Sequence, residues 1–169
     1  MTISEEQVYL WLKKYVRSNE GYLIGGQPPS GTDHLPVLEI RDPANADRGS
    51  RESFKPDLVF ALGGHIFIVE IKPGFSKSDR AKQLSLLRSP QRIEMFWEEL
   101  QRRKISSPIF GDVDSMRKSL DVAVALAFEG HAEPDEDLWL ICGQEGAFVF
   151  WPPTRHALPT SAVGDMIGS

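Results

Sequence analysis

Hydrophobic positions along the chain follow two spacings, one typical of helices and one typical of strands. After Ser4, which can cap a helix together with Gln7, apolar residues recur at helical spacing to about residue 17. The stripe that they form consists of Val8, Trp11, Leu12 and Tyr15. Three further helices are predicted over residues 76–87, 92–103 and 112–120. The first two of these are separated near Pro90, because proline disfavours helical geometry in the residue before it.

Short, strongly apolar runs bounded by glycine or polar residues predict the strands. They lie at residues 21–26, in two runs within 54–72, and at residues 121–128, 138–142 and 147–151. The alternation of helical and strand-rich blocks predicts an α/β (α+β) fold, with a mixed central β-sheet flanked by helices. We expect the hairpin at residues 54–72 to lie inside that sheet.

Length and composition are consistent with one soluble domain. The 169 residues are 41% hydrophobic, so we expect a single domain over residues 1–152, followed by a loop or tail at 153–169. The single cysteine, Cys142, excludes an internal disulfide, and the four scattered histidines give no zinc-ligand spacing. No apolar run approaches the roughly 18 to 20 residues that a membrane span needs. We therefore expect a cytoplasmic protein without a membrane partner.

Three charged residues interrupt the apolar hairpin. If Gly63-Gly64 is a two-residue turn, Asp57 lies opposite Glu70, and Lys72 shares their face two positions further on. Opposed β-carbons are only about 4.5 to 5.5 Å apart, a distance at which two like charges destabilise a hairpin. A divalent cation such as Mg²⁺ removes this conflict, because it is commonly held by one or two carboxylates. A three-residue turn would instead place Asp57 opposite Ile71 and break the pairing.

The charged positions form a recognisable motif. Pro56-Asp57, followed after twelve residues by Glu70-Ile71-Lys72 at the end of an apolar strand, resembles the signature of the PD-(D/E)xK nuclease superfamily. The resemblance extends over roughly residues 1 to 90 and implies a restriction-endonuclease-like core with Mg²⁺ or Mn²⁺ as cofactor. It implies that Asp57, Glu70 and the Ile71 backbone carbonyl bind the metal. It further implies that Lys72 positions or activates the attacking water and stabilises charge on the scissile phosphate.

Two positions outside the motif also match the superfamily. Many members add a glutamate from the first helix, and Glu5 lies at the edge of the apolar stripe whereas Glu6 points away from it. Glu5 can equally be a favourable anion in the first helical turn without any role in the site. Gln83 loosely matches a position where some relatives carry a glutamine, and its alternative interpretation is an ordinary residue on the helix surface.

The charge distribution bears on a nucleic-acid partner. The net charge is −5, which disfavours a polyanionic ligand. Residues 51–104 nevertheless hold eleven lysines and arginines against seven aspartates and glutamates. We expect nucleic acid to bind weakly along the helix that follows the motif, through Lys77, Arg80, Lys82, Gln83 and Arg88. A merely solvated helix surface is the alternative interpretation of these charges.

Together these observations predict a Mg²⁺-dependent nuclease, an endonuclease that hydrolyses phosphodiester bonds in DNA during restriction, repair or defence against mobile elements. The sequence leaves RNA as the substrate, the mode of cleavage and a homodimer open. The alternative is a catalytically inactive module of the same fold. Such a module would bind nucleic acid or a partner protein within a larger assembly.

Overall fold

The structure, a computed structural model, describes residues 4–29, 33–42, 53–144 and 146–155. In these residues there are four helices, namely α1 (Glu5–Ser18), α2 (Lys77–Leu87), α3 (Pro90–Arg102) and α4 (Val113–Ser119). The strands of the main sheet are β1 (Tyr22–Gly26), β2 (Leu58–Leu62), β3 (His65–Lys72), β6 (Asp121–Glu129), β7 (Trp139–Gln144) and β8 (Ala147–Trp151). Two further short strands, β4 (Ser106–Ser107) and β5 (Gly111–Asp112), pair with each other.

The main sheet is mixed, as the sequence predicted. Its strand order is β1-β2-β3-β6-β7-β8. β2 is antiparallel to both β1 and β3, whereas β3, β6 and β7 run parallel to one another and β8 is antiparallel to β7. The hairpin formed by β2 and β3 therefore lies inside the sheet, which confirms the prediction.

Helices cover both faces of the sheet. On one face, α1 packs over alternate strand residues that include Leu58, Phe60 and Val69. On the other face, α2, α3 and α4 pack over residues that include Val59 and Ile68. Because side chains alternate along a strand, the residues at odd positions of β2 and even positions of β3 point towards α2. This alternation assigns Glu70 of β3 to the α2 face.

The first helix begins as predicted but buries a different stripe. Ser4 Oγ accepts a hydrogen bond from the Gln7 backbone N–H at 3.2 Å, which caps α1. The buried apolar residues of α1 are Val8, Tyr9, Leu12 and Val16, whereas Trp11 and Tyr15 are half-buried. The ring of the half-buried Tyr15 contacts Phe148 and Phe150 of β8.

The other predicted helices are confirmed with small shifts. α3 begins at Pro90 rather than at residue 92, because Ser89 caps it and proline is well tolerated at the first helical position. No helix within the described ranges is both long and apolar enough to span a bilayer. Residues 152–155 form neither helix nor strand, and the remainder of the predicted tail, 156–169, lies outside the described residues.

Candidate active site

The turn between β2 and β3 sets the geometry of the site. Gly63-Gly64 forms the two-residue turn that the sequence predicted, and the pairing runs from it to Leu58 opposite Val69. Asp57 comes one residue before β2, outside the paired residues, and the charge of Glu70 acts on its carboxyl, so the two side chains lie close together.

This pair lies at the edge of the sheet where the parallel strands end. β3 ends at Lys72, and its parallel neighbours β6 and β7 end on the same side. Ligands of open α/β sheets commonly bind beyond the carboxyl ends of the strands. The helix α2 follows β3 directly and packs back over β6, so its first turns border the same edge.

Asp57 is held by the backbone of the neighbouring strand. Its Oδ2 accepts a hydrogen bond from the Ile71 N–H at 2.8 Å. Burial, and then the charge of Glu70, raise the pKa of Asp57 to about 7, against opposing effects of the Ile71 N–H and Lys72. Glu5 adds a smaller effect that also raises this pKa, so the first turn of α1 lies close to the site. A carboxyl in this environment gains stability in its ionised form from a nearby cation.

The two carboxyl oxygens of Glu70 have different surroundings. The residue is 6% exposed, and its Oε1 accepts a hydrogen bond from Lys82 Nζ at 3.3 Å. Its Oε2 is buried and has no hydrogen-bond partner among the residues that the structure describes. Burial raises the pKa of Glu70, while the positive charges of Lys82 and Lys72 oppose that rise. Leaving a buried carboxylate oxygen without a partner is costly, so this oxygen favours a cation.

Lys72 completes the charged group on this face of β3. Its side chain is 33% exposed, and its Nζ lies 3.8 Å from Asp79 Oδ1 on α2. At this distance the pair is held by charge rather than by a hydrogen bond. The Lys72 ammonium thus lies near the carboxylates of Asp57 and Glu70 and is partly exposed to solvent.

The donor set fits a divalent cation held by two carboxylates. Asp57 and Glu70 offer hard oxygen ligands, and water and phosphate oxygens commonly complete the shell of Mg²⁺. In an extended strand the N–H and C=O of one residue face the same neighbour, so the Ile71 carbonyl faces the Asp57 side. The described part of the chain contains no group of three or more His, Cys, Asp and Glu side chains placed to hold a metal. A contribution of Glu5 to the metal site stays a prediction.

The cations predicted to bind nucleic acid are placed unequally. Arg80 donates to Asp135 at 2.6 and 3.2 Å and to Asp137 at 3.3 Å, on the connection between β6 and β7. Arg88 lies 3.8 Å from Asp137. Lys77 is exposed and forms no ion pair with another described residue. Arg80 and Arg88 thus have carboxylate partners, whereas Lys77 has none among the described residues.

Gln83 lies in the core rather than on the helix surface that the sequence suggested. It is 0% exposed, and its Nε2 donates to the carbonyls of Ile68 at 3.3 Å and Ala125 at 2.7 Å. Its Oε1 is buried and finds no hydrogen-bond partner within the described part of the chain. Gln83 therefore connects α2 to β3 and β6, and this burial separates it from any surface that nucleic acid could reach directly.

A buried polar cluster on α1 was not foreseen. The Tyr9 hydroxyl donates to Asp33 Oδ2 at 2.7 Å, and Lys13 forms an ion pair with the same carboxylate. Burial, the Asp33 hydrogen bond and the charges of Asp33 and Asp57 raise the pKa of Tyr9. The signal in the sequence was the spacing of Glu5, Tyr9 and Lys13, which places all three along one side of α1.

The edge of the sheet thus combines two carboxyls of raised pKa with two lysine ammonium groups. Such a set can hold a divalent cation and can stabilise a phosphate beside it. Comparison of the chain with protein-family models, with curated proteins and with solved structures finds no match. The interpretation of the site accordingly depends on its contacts and charges.

Proposed function

We propose that this protein is a metal-dependent nuclease that hydrolyses phosphodiester bonds in DNA, as its resemblance to the PD-(D/E)xK superfamily implies. The observation that carries the proposal is the buried Oε2 of Glu70, which has no hydrogen-bond partner among the described residues, in a carboxyl group close to Asp57. A divalent cation would give this oxygen a partner and would remove the repulsion between the two carboxylates. The mixed sheet with helices on both faces is compatible with a restriction-endonuclease-like core, and that specific fold is part of the proposal.

In this proposal each residue of the group has a role. Asp57 and Glu70 hold Mg²⁺ or Mn²⁺, together with the Ile71 carbonyl. The bound ion would supply a water of lowered pKa and neutralise charge on the phosphate. Lys72 orients the attacking water and stabilises the charge that develops on the phosphate oxygens. The water oxygen bonds to phosphorus as the bond from phosphorus to the leaving sugar oxygen breaks; the water loses a proton to solvent, and the leaving oxygen gains one.

The proposal is tested by cleavage assays with purified protein on linear, circular and single-stranded DNA, in Mg²⁺, Mn²⁺ or EDTA. We expect cleavage in either metal and none in EDTA. Asp57→Ala, Glu70→Ala and Lys72→Ala should each lower the rate at least about 100-fold, the size typical of removing one charge-stabilising group. Asp121→Ala is the matched control, because this exposed carboxylate lies at the opposite end of β6. Cleavage by Asp57→Ala at the wild-type rate would refute the metal site.

A catalytically inactive module of the same fold is the second candidate. It is favoured by the pairing of Arg80 and Arg88 with Asp135 and Asp137, which leaves fewer cations for phosphate. Such a module could be one subunit of a larger assembly whose other parts bind the nucleic acid. DNA binding in EDTA without cleavage in either metal would support this candidate over the nuclease.

A further inference from the structure

We propose that the Lys82 ammonium competes with the divalent cation for Glu70 and, once displaced, contacts the substrate phosphate. This inference rests on the proposed function, since it concerns the same site. It adds a residue that lies outside the motif at Asp57, Glu70 and Lys72. Lys82 would thereby couple metal binding to substrate binding.

The contacts of Lys82 place its ammonium at the mouth of the site. Its Nζ lies 3.3 Å from Glu70 Oε1 and 4.9 Å from the centre of the Phe54 ring. The Lys82 side chain is 48% exposed, whereas that of Glu70 is 7% exposed. One side of the ammonium therefore faces a buried carboxylate and an aromatic ring, and the other side faces solvent. The side chain can leave this position by rotation, without any movement of α2.

Lys82 and the divalent cation would compete because both would bind the carboxylate of Glu70. Lys82 bonds to Oε1 of Glu70, and Oε2 of the same group is the unpartnered oxygen. A divalent cation at Oε2 would lie within a few ångströms of the ammonium, and at partly buried positions such like charges repel strongly. The two cations therefore cannot both bind Glu70 at full strength.

Lys72 is a weaker candidate for this role. Its Nζ has a carboxylate partner on α2, Asp79, at 3.8 Å. Lys82 and Asp79 are three positions apart on α2 and so lie on the same side of the helix, facing the end of β3. Displaced from Glu70, Lys82 would lie beside Lys72, and the two ammonium groups would flank a bound phosphate.

The test measures metal binding separately from cleavage, using the full chain. Mn²⁺ is titrated calorimetrically into the wild type, Lys82→Met and Lys118→Met. The last variant removes the same charge from α4 and is the matched control. We expect Lys82→Met to bind Mn²⁺ about tenfold more tightly, equal to about 1.4 kcal/mol, and Lys118→Met to bind like the wild type. Lys82→Arg, which keeps the charge, should also bind like the wild type.

Cleavage should change in the opposite direction. At saturating Mn²⁺, Lys82→Met should lose about tenfold in kcat/KM because the contact with phosphate is gone. Lys82→Gln serves as a second variant, and circular dichroism establishes that both are folded. Opposite changes in metal affinity and cleavage would support the inference, because a purely structural lysine would not tighten metal binding.

Three results would overturn it. Wild-type Mn²⁺ affinity in both Lys82→Met and Lys82→Gln, with binding lost in Asp57→Asn, would refute the competition and leave the proposed nuclease intact. Tighter metal binding with unchanged cleavage would refute the phosphate contact. Absence of Mn²⁺ binding in the wild type and in both Lys82 variants would refute the metal site itself, and the inference with it.

Discussion

Asp57 illustrates how burial and one neighbouring charge determine the ionisation of a single carboxyl. Its pKa of about 7 lies above the ordinary value of 3.8, chiefly because of burial and then because of Glu70. Between these two values the unfolded chain has lost its proton while the folded chain keeps it. The contribution of Asp57 to the free energy of unfolding therefore falls as the pH rises from about 4 to about 7 and stays constant above that range.

We expect Asp57→Asn to remove this loss of stability. In EDTA the variant should match the wild type near pH 4 and exceed it in unfolding free energy by up to about 4 kcal/mol at pH 8. Urea unfolding at the two pH values measures the difference. The same difference at both pH values would show that Asp57 does not titrate as its surroundings imply.

At the scale of single residues, the sequence predicted which charged side chains the hairpin turn brings together. Asp57, Glu70 and Lys72 could be placed together because one two-residue turn fixes the register of a hairpin. The contact of Lys82 with Glu70 and the burial of Gln83 could not be placed in this way. Both depend on how α2 is rotated and positioned over β3 and β6, and no spacing along the chain encodes that packing.

At the scale of elements, the hairpin turn depends on one glycine more than on the other. Gly63 has φ of +60°, in the left-handed region, whereas Gly64 does not have a positive φ. A Cβ added at either position would meet no atom within 4 Å. Any difference between substitutions at the two positions therefore reports backbone conformation alone.

Gly63→Ala should lower the unfolding free energy by about 1 to 2 kcal/mol, the cost of placing a side chain in the left-handed region. Gly64→Ala, its matched control, should change stability by less than about 0.5 kcal/mol. Thermal or urea unfolding measures both. Equal losses would indicate that the turn does not have the conformation described. They would also weaken the register of the hairpin that places Asp57 close to Glu70.

Most elements could be predicted because their signals are local. Capping serines and a proline mark the beginnings of α1, α2 and α3, and apolar runs mark the strands. The prediction for the buried stripe of α1 was wrong at Trp11 and Tyr15, which are half-buried. The pattern of apolar residues shows which side of a helix is apolar, but not which residues lie at the middle of the buried side. β4 and β5 contain two residues each, too few to carry a periodic pattern.

At the scale of the whole molecule, net acidity and internal ion pairing together limit binding to nucleic acid. The chain carries a net charge of −5, and Arg80 and Arg88 are paired with carboxylates of the same molecule. We therefore expect weak binding with a shallow salt dependence, since each phosphate contact contributes about −0.9 to the slope of log K against log salt.

Lys77→Glu should weaken DNA binding and lower the magnitude of that slope by about 1. Lys118→Glu, which changes the net charge equally on a distant helix, should have a much smaller effect. Fluorescence anisotropy at several salt concentrations separates the two variants. Equal losses in both would show that the overall charge, rather than the first turn of α2, governs the interaction.

The position of β3 beside β6 also affects how the molecule folds. These strands are neighbours at the centre of the sheet, yet residues 73–120, with α2, α3 and α4, lie between them along the chain. Closing so long a loop costs conformational entropy before the parallel pairing compensates for it, and such non-local pairing slows folding. The hairpin of β2 and β3 needs only two turn residues and can form within microseconds. We therefore expect the hairpin, which places Asp57 near Glu70, to form before β6 pairs with β3.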